Sequence, residues 1–110
     1  MPYDYIKSPE AIYRQSFALV GKALADYDLP EAVMPLVKRL VHTCGDPSIA
    51  RDLAWSRDFV PAGLAGLSRA LFVDVEMVAA GITARFLPAS LTPRCSLNWS
   101  EVTELAREHA

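Results

Sequence analysis

His42 is the residue of this sequence best suited to chemistry, because a predicted helix points it away from the apolar side chains. At about 100° per residue, Val37 and Val41 fall on one side of a helix spanning residues 31–44, and His42 falls nearly opposite. An imidazole exchanges a proton near neutral pH, so an exposed one can act as an acid or base. A histidine in the last turn of a helix can also have only a structural role, in which its positive charge is stabilised by the helix dipole. Spacing alone therefore leaves both roles open.

Two cations precede this histidine on the same predicted face. Lys38 and Arg39 stand four and three positions before His42, which places them about one helical turn away. Such a surface favours an anionic ligand. We therefore predict that His42 works beside a negatively charged molecule.

The overall composition excludes several classes of protein. The chain has 110 residues and a formal net charge of -2, without a basic block, so one domain that does not bind nucleic acid is expected. Its apolar runs are too short to span a membrane. Cys44 and Cys95 suggest neither a disulfide framework nor a metal site, and we expect both to be small buried residues in a cytoplasmic protein.

The hydrophobic content is high for so short a chain. Hydrophobic residues make up 52% of the sequence, although small domains bury a small fraction of their surface. The excess predicts exposed apolar surface, and hence a partner chain or self-association.

The pattern along the chain predicts an α/β domain. Ser8, Pro9 and Glu10 form a typical helix start, and Gly45 a typical helix end. Further helices are predicted over about 47–53, 61–69, 76–81 and 101–109, and strands over about 70–75 and 94–98. The first strand is a continuous apolar run that ends in an acid, Asp74, and we expect it to be buried. The βαβα order of the last part predicts a parallel sheet, as in the helix-rich N-terminal part of a doubly wound domain.

Three blocks of the sequence resemble the precorrin-8X methylmutase family. They occur in the family's order and at nearly its spacing, and the resemblance covers essentially the whole chain. The blocks are YDYI with AIYRQSF (3–6 and 11–17), RLVHTCG (39–45), and VDVEMV with GIT and LP (73–78, 81–83 and 87–88).

The resemblance implies an isomerase of cobalamin biosynthesis. The family moves a methyl group from C-11 to C-12 of precorrin-8X and gives hydrogenobyrinic acid; related enzymes act on the cobalt-containing substrate. It implies a mainly parallel α/β fold, a homodimer, and no cofactor or bound metal. Since the family's domains extend well beyond the position of His109, residues 1–110 are expected to be a truncated domain lacking the C-terminal half.

The resemblance also implies roles for particular residues. The family's proposed general acid matches His42, which would protonate the macrocycle. Its substrate carries several carboxylates, which cations can bind at the rim of an apolar pocket. One departure is that Ala84 stands where the family usually has arginine, with Arg85 after it. The substrate-binding residues predicted in this way are Tyr13, Arg14, Ser16, Phe17, Lys38, Arg39, Thr83 and Arg85.

Three interpretations of the chain stay open at this point. It is a short or split methylmutase whose site a second copy or a complementing second chain completes. Alternatively, it is a catalytically inactive remnant that binds a corrinoid or another partner. The third alternative is a fragment without function.

Overall fold

The computed structural model describes residues 2–110, so Met1, the first position of the domain predicted over 1–110, lies outside the description. The chain divides between Arg57 and Asp58 into two compact units. We call residues 2–57 the N-terminal unit and residues 58–110 the C-terminal unit. That residues 1–110 form a single domain stays a prediction.

The first helix, α1, spans Pro9–Ala23 and begins where the sequence predicts. Ser8 Oγ accepts a hydrogen bond from the backbone N–H of Ala11 at 3.3 Å, which satisfies one of the free donors of the first turn. Glu10 follows in that turn, where a negative charge is stabilised by the helix dipole. Hydrogen bonds from its own backbone N–H and from the Ser8 hydroxyl lower the pKa of the Glu10 carboxyl.

The second helix, α2, spans Met34–Cys44, so the predicted start at residue 31 is wrong by three residues. Pro35 explains the difference, since proline has no N–H to bond back to residue 31 and is tolerated only in the first turn. The end is as predicted, because Gly45 adopts a left-handed conformation with φ of 72°. A 3₁₀ helix, Pro47–Arg51, follows and is capped by Asp46.

The N-terminal unit has a hydrophobic core between α1, α2 and the 3₁₀ helix. Leu24, directly after α1, packs with Val37 and Val41 of α2 and with Ala50. Leu24 and Val37 are almost completely buried, at 1% and 2% exposure. These contacts fix the distance between α1 and α2, and hence the position of the side chains that α2 directs outward.

The C-terminal unit contains a parallel two-stranded sheet with short helices, which confirms the α/β prediction. Phe72 in the first strand pairs in register with Arg94 in the second. The bounds of its elements are α3 Phe59–Gly66, β1 Leu71–Val73, α4 Glu76–Gly81, a 3₁₀ helix Ala84–Phe86, β2 Pro93–Cys95 and α5 Ser100–Glu108. The two strands are shorter than predicted, α3 begins and ends earlier, α5 is displaced by one residue, and α4 has the predicted bounds.

Three predictions about burial are wrong. The first strand is not buried, because Phe72 at its centre is 58% exposed: a two-stranded sheet has too few neighbours to cover both faces. Cys44 is exposed, since it is the last residue of α2 and the chain turns away at Gly45. Cys95 is only partly buried, and both thiols are free. No helix within residues 2–110 is both long enough and apolar enough to cross a bilayer.

Candidate functional site

His42 lies in the last turn of α2 and is exposed, as the helical pattern predicts. Its neighbour Val41 is 3% exposed and faces the core, so the two side chains point in different directions. The sequence therefore predicted correctly which face of α2 carries the imidazole.

Three side chains of α1 contact the imidazole of His42. Ser16 Oγ lies 2.9 Å from Nδ1, at hydrogen-bonding distance. The Phe17 ring stacks on the imidazole with a centroid distance of 4.9 Å and an angle of 18° between the planes. Tyr13 stacks on it at 5.7 Å and 29°. Histidine is thus held by one polar and two aromatic groups, although it is 26 residues from Ser16 in the chain.

Helical spacing explains how α1 presents these three groups together. Positions 13, 16 and 17 are separated by three and four residues, so they share one face of α1. The rings of Tyr13 and Phe17 also stack on each other, at 6.2 Å and 12°. We call Tyr13, Ser16, Phe17 and His42 the histidine cluster.

The two predicted cations near His42 have different surroundings. Arg39 extends this cluster, because its Cζ lies 5.7 Å from the centre of the Phe17 ring. Lys38 is half-buried and extends toward α1, where a Cβ on Gly21 would lie 3.6 Å from its Nζ. Glycine thus leaves space for the lysine amine against α1 at that position.

Two open grooves flank α2 in the N-terminal unit. The first, which we call the histidine groove, has a volume of about 260 Å³ and is mostly apolar; it is lined by Ser16, Leu19, Val20, Ala23, Val41, His42, Gly45 and Pro47. The second, the cationic groove, has a volume of about 440 Å³ and is lined by Phe17, Glu31, Met34, Pro35, Lys38 and Arg39. Phe17 connects them, since it lines the cationic groove and stacks on His42.

The grooves suit an apolar ligand that carries anionic groups. The histidine groove offers an apolar wall beside an imidazole, and the cationic groove offers an ammonium and a guanidinium group. Glu31 is the residue here that sequence reasoning missed. It precedes α2, in the turn that leads into the helix, so helical spacing gave no signal for it.

The other predicted site residues are one further residue of α1 and two residues of the C-terminal unit. Arg14 is an exposed residue of α1. Thr83 and Arg85 are exposed residues of the C-terminal unit. The Arg85 guanidinium lies 4.8 Å from the Phe86 ring centre. Substrate-binding roles for these three residues stay predictions.

A second group of aromatic and cationic side chains, in the C-terminal unit, was also missed. Arg94 Cζ lies 5.7 Å from the centre of the Phe72 ring and 5.2 Å from that of Trp99. The register of β1 and β2 places Phe72 beside Arg94, and sequence alone does not fix that register. Among residues 2–110, no three histidine, cysteine or acidic side chains are close enough together to form a candidate metal site.

Comparisons with known proteins place this chain in a family. The family model for precorrin-8X methylmutase matches residues 11–110. A precorrin-8X methylmutase of Pseudomonas aeruginosa is 38% identical over 107 residues, which cover 96% of this chain and 51% of the relative. One from a Sinorhizobium species is 38% identical over 109 residues, with the same shares of each chain. A cobalt-precorrin-8 methylmutase of Methanothermobacter thermautotrophicus is 34% identical over 101 residues, covering 88% of this chain and 46% of the relative.

These matches confirm the resemblance seen in the motifs. The chain spans about half the length of the curated relatives it matches. The family match includes α2 and all of α1 except its first two residues, and therefore every member of the histidine cluster. The chain belongs to the precorrin-8X methylmutase family.

Proposed function

We propose that this chain supplies the proton-donating part of a precorrin-8X methylmutase. The reaction moves a methyl group from C-11 to C-12 of the macrocycle and gives hydrogenobyrinic acid, as an isomerase step of cobalamin biosynthesis. Substrate and product contain the same atoms, so the reaction consumes no oxidant, reductant or methyl donor. The observation that carries the proposal is the exposed imidazole of His42, held by the hydroxyl of Ser16 and the ring of Phe17.

His42 acts as the general acid in this proposal. It gives a proton to the macrocycle, which makes the ring more electron-deficient and favours migration of the methyl group. Because the reaction is an isomerisation, the proton returns within the cycle and His42 is restored. General acid catalysis of this kind typically contributes about 10²–10⁴-fold to a rate.

The two cations of α2 bind peripheral carboxylates of the substrate. Arg39 and Lys38 line one groove, so one substituent can meet both positive charges. Glu31 in the same groove repels a carboxylate and so opposes part of this attraction. Arg14, Thr83 and Arg85 are proposed as further substrate contacts on the family resemblance alone.

A partner chain completes the site, either a second copy in a homodimer or a complementing chain. The histidine groove, at about 260 Å³, is below the range of about 300–1,000 Å³ typical of small-molecule pockets. A tetrapyrrole therefore needs further walls. Large exposed side chains such as Met77 and Phe86, at 80% and 77% exposure, supply apolar surface for such an association.

We propose a cytoplasmic location for this reaction. Both cysteines carry free thiols, which persist in reducing compartments. Recovery of the chain from an oxidising compartment after cell fractionation would contradict this assignment.

The test of the function is conversion of precorrin-8X, followed by the absorption spectrum of hydrogenobyrinic acid. The chain is assayed alone and with the half of the Pseudomonas aeruginosa relative that it does not match; cobalt-precorrin-8 is a second substrate. We expect conversion in at least one combination. We expect its loss in His42→Ala and its retention in His109→Ala, which removes the other histidine.

Three results would overturn the proposal or part of it. Corrinoid binding without conversion in any combination would favour the inactive binding remnant. Absence of both binding and conversion would exclude both functions. Conversion by His42→Ala at the parent rate would overturn the assignment of the acid alone.

A further inference from the structure

The imidazole of His42 has two nitrogens, and the structure distinguishes between them. Nδ1 lies 2.9 Å from Ser16 Oγ. Ser16 is half-buried in α1, whereas His42 is exposed. The nitrogen bonded to serine is therefore the less available of the two for an incoming ligand.

Aromatic stacking alone cannot make this distinction. Phe17 and Tyr13 hold the plane of the imidazole, with angles of 18° and 29° between the rings. A half-turn of the imidazole about its bond to Cβ preserves the plane and exchanges the positions of Nδ1 and a carbon. Only a polar contact opposes that half-turn, and Ser16 supplies it.

We propose that Ser16 is a positioning residue that assigns the transferable proton of His42 to Nε2; this rests on the proposed role of His42 as the acid. In the imidazolium both nitrogens carry a proton, so Nδ1–H can only donate, and Ser16 Oγ accepts. When the proton on Nε2 passes to the macrocycle, the N–H bond at Nε2 breaks and its electron pair stays on the nitrogen. The proton on Nδ1 remains bonded to nitrogen and hydrogen-bonded to serine.

The inference predicts one neutral tautomer, with the proton on Nδ1. The measurement is ¹⁵N NMR of the imidazole nitrogens in the full chain, at a pH where His42 is neutral. Resonances of His109 are identified with His109→Gln. We expect Nδ1 of His42 to resonate as a protonated nitrogen and Nε2 as an unprotonated one.

Two variants at position 16 and one control make the test specific. Ser16→Ala removes the hydroxyl and favours the helix, so α1 is retained and the two tautomers should average. Ser16→Thr keeps a hydroxyl and should restore the Nδ1-protonated tautomer. Ser68→Ala removes a hydroxyl that donates to the Ala65 carbonyl in the C-terminal unit, and should leave the His42 resonances unchanged.

The outcomes separate this inference from the proposed function, because the NMR measurement needs no corrinoid. A tautomer protonated on Nε2, or one that Ser16→Ala leaves unchanged, would overturn the positioning role even if His42 were essential for conversion. In the conversion assay we expect Ser16→Ala to lower kcat about 10–100-fold with little change in KM. This fold-change corresponds to the loss of one hydrogen bond to a charged group. Equal kcat in Ser16→Ala and Ser68→Ala would also overturn it.

Discussion

The N-terminal and C-terminal units are similar in length but bury their apolar side chains very differently. In the N-terminal unit, Leu24, Val37 and Val41 are each at most 3% exposed. In the described C-terminal unit, Leu91 is the one buried hydrophobic residue, at 7% exposure. There, Met77, Phe86 and other large side chains are exposed.

The difference follows from the elements in each unit. A helix satisfies its backbone hydrogen bonds internally, so two helices with one apolar stripe each can bury a core between them. Two parallel strands leave outer edges unpaired and need further elements over both faces. The histidine cluster therefore belongs to the unit that closes its own core.

A leucine-to-alanine substitution in each unit should show the difference in core packing between the units most strongly. Leu24→Ala removes a side chain at 1% exposure from a closed core, so we expect a loss of about 2–5 kcal/mol in the free energy of unfolding. Leu91→Ala, at 7% exposure in a more open unit, should cost less because its surroundings can collapse. Denaturant unfolding, with amide exchange to localise the effect, measures both. Equal losses would contradict the comparison.

Glycine substitutions should have opposite signs in the two units. Gly45 has φ of 72°, a conformation that a Cβ disfavours, so Gly45→Ala should destabilise the chain by about 1–2 kcal/mol. Gly63 lies inside α3, where a Cβ meets no atom within 4 Å, so Gly63→Ala should stabilise by about 0.5–1 kcal/mol. Thermal unfolding of both variants gives the signs. A stabilising Gly45→Ala would show that the end of α2 is not held as described.

The aromatic contacts of the C-terminal unit should contribute less to the free energy of unfolding than the residues above. Phe72 meets Trp99 edge-on at 6.4 Å and lies under Arg94, so Phe72→Leu should cost about 0.5–1.5 kcal/mol. Phe59→Leu, at a similarly exposed ring in α3, is the comparison. Denaturant unfolding followed by tryptophan fluorescence reports the loss. Equal costs at both positions would show that the contact with Trp99 contributes nothing.

The smallest expected effect is a pH dependence at the cap after α2. A hydrogen bond from the Ser48 hydroxyl and one from its backbone N–H lower the pKa of the Asp46 carboxyl. A lowered pKa in the folded state means that the stabilisation is present above the unfolded pKa, about 3.9, and is lost as pH falls through the folded value.

Asp46→Asn keeps a capping oxygen and removes the charge, so it serves as the matched control. The parent should therefore lose free energy of unfolding relative to Asp46→Asn as pH falls below about 4. Urea unfolding at several pH values measures it. A difference independent of pH would exclude the carboxylate as the source of the cap's stability.

Local signals predicted much of the fold. Ser8 and Gly45 end helices through backbone groups close to them in the chain, and both were predicted correctly at the ends of helices. The parallel pairing was predicted from the order of elements and is confirmed. Burial was less predictable, because it depends on what covers a residue. Phe72 and Cys44 are residue types that are usually buried, but both are exposed in this structure.

Helical periodicity is enough to place His42 on the polar face of α2, since it fixes the face whatever packs against it. The family follows from the sequence motifs and their order along the chain. The contact of Ser16 with Nδ1 and the stacking of Phe17 on the ring depend on the packing of α1 against α2, which brings together Ser16 and His42 although they are 26 positions apart. Helical periodicity specifies the direction in which a side chain points. A hydrogen bond between two helices also requires a short distance between its atoms, and the packing of the core sets that distance.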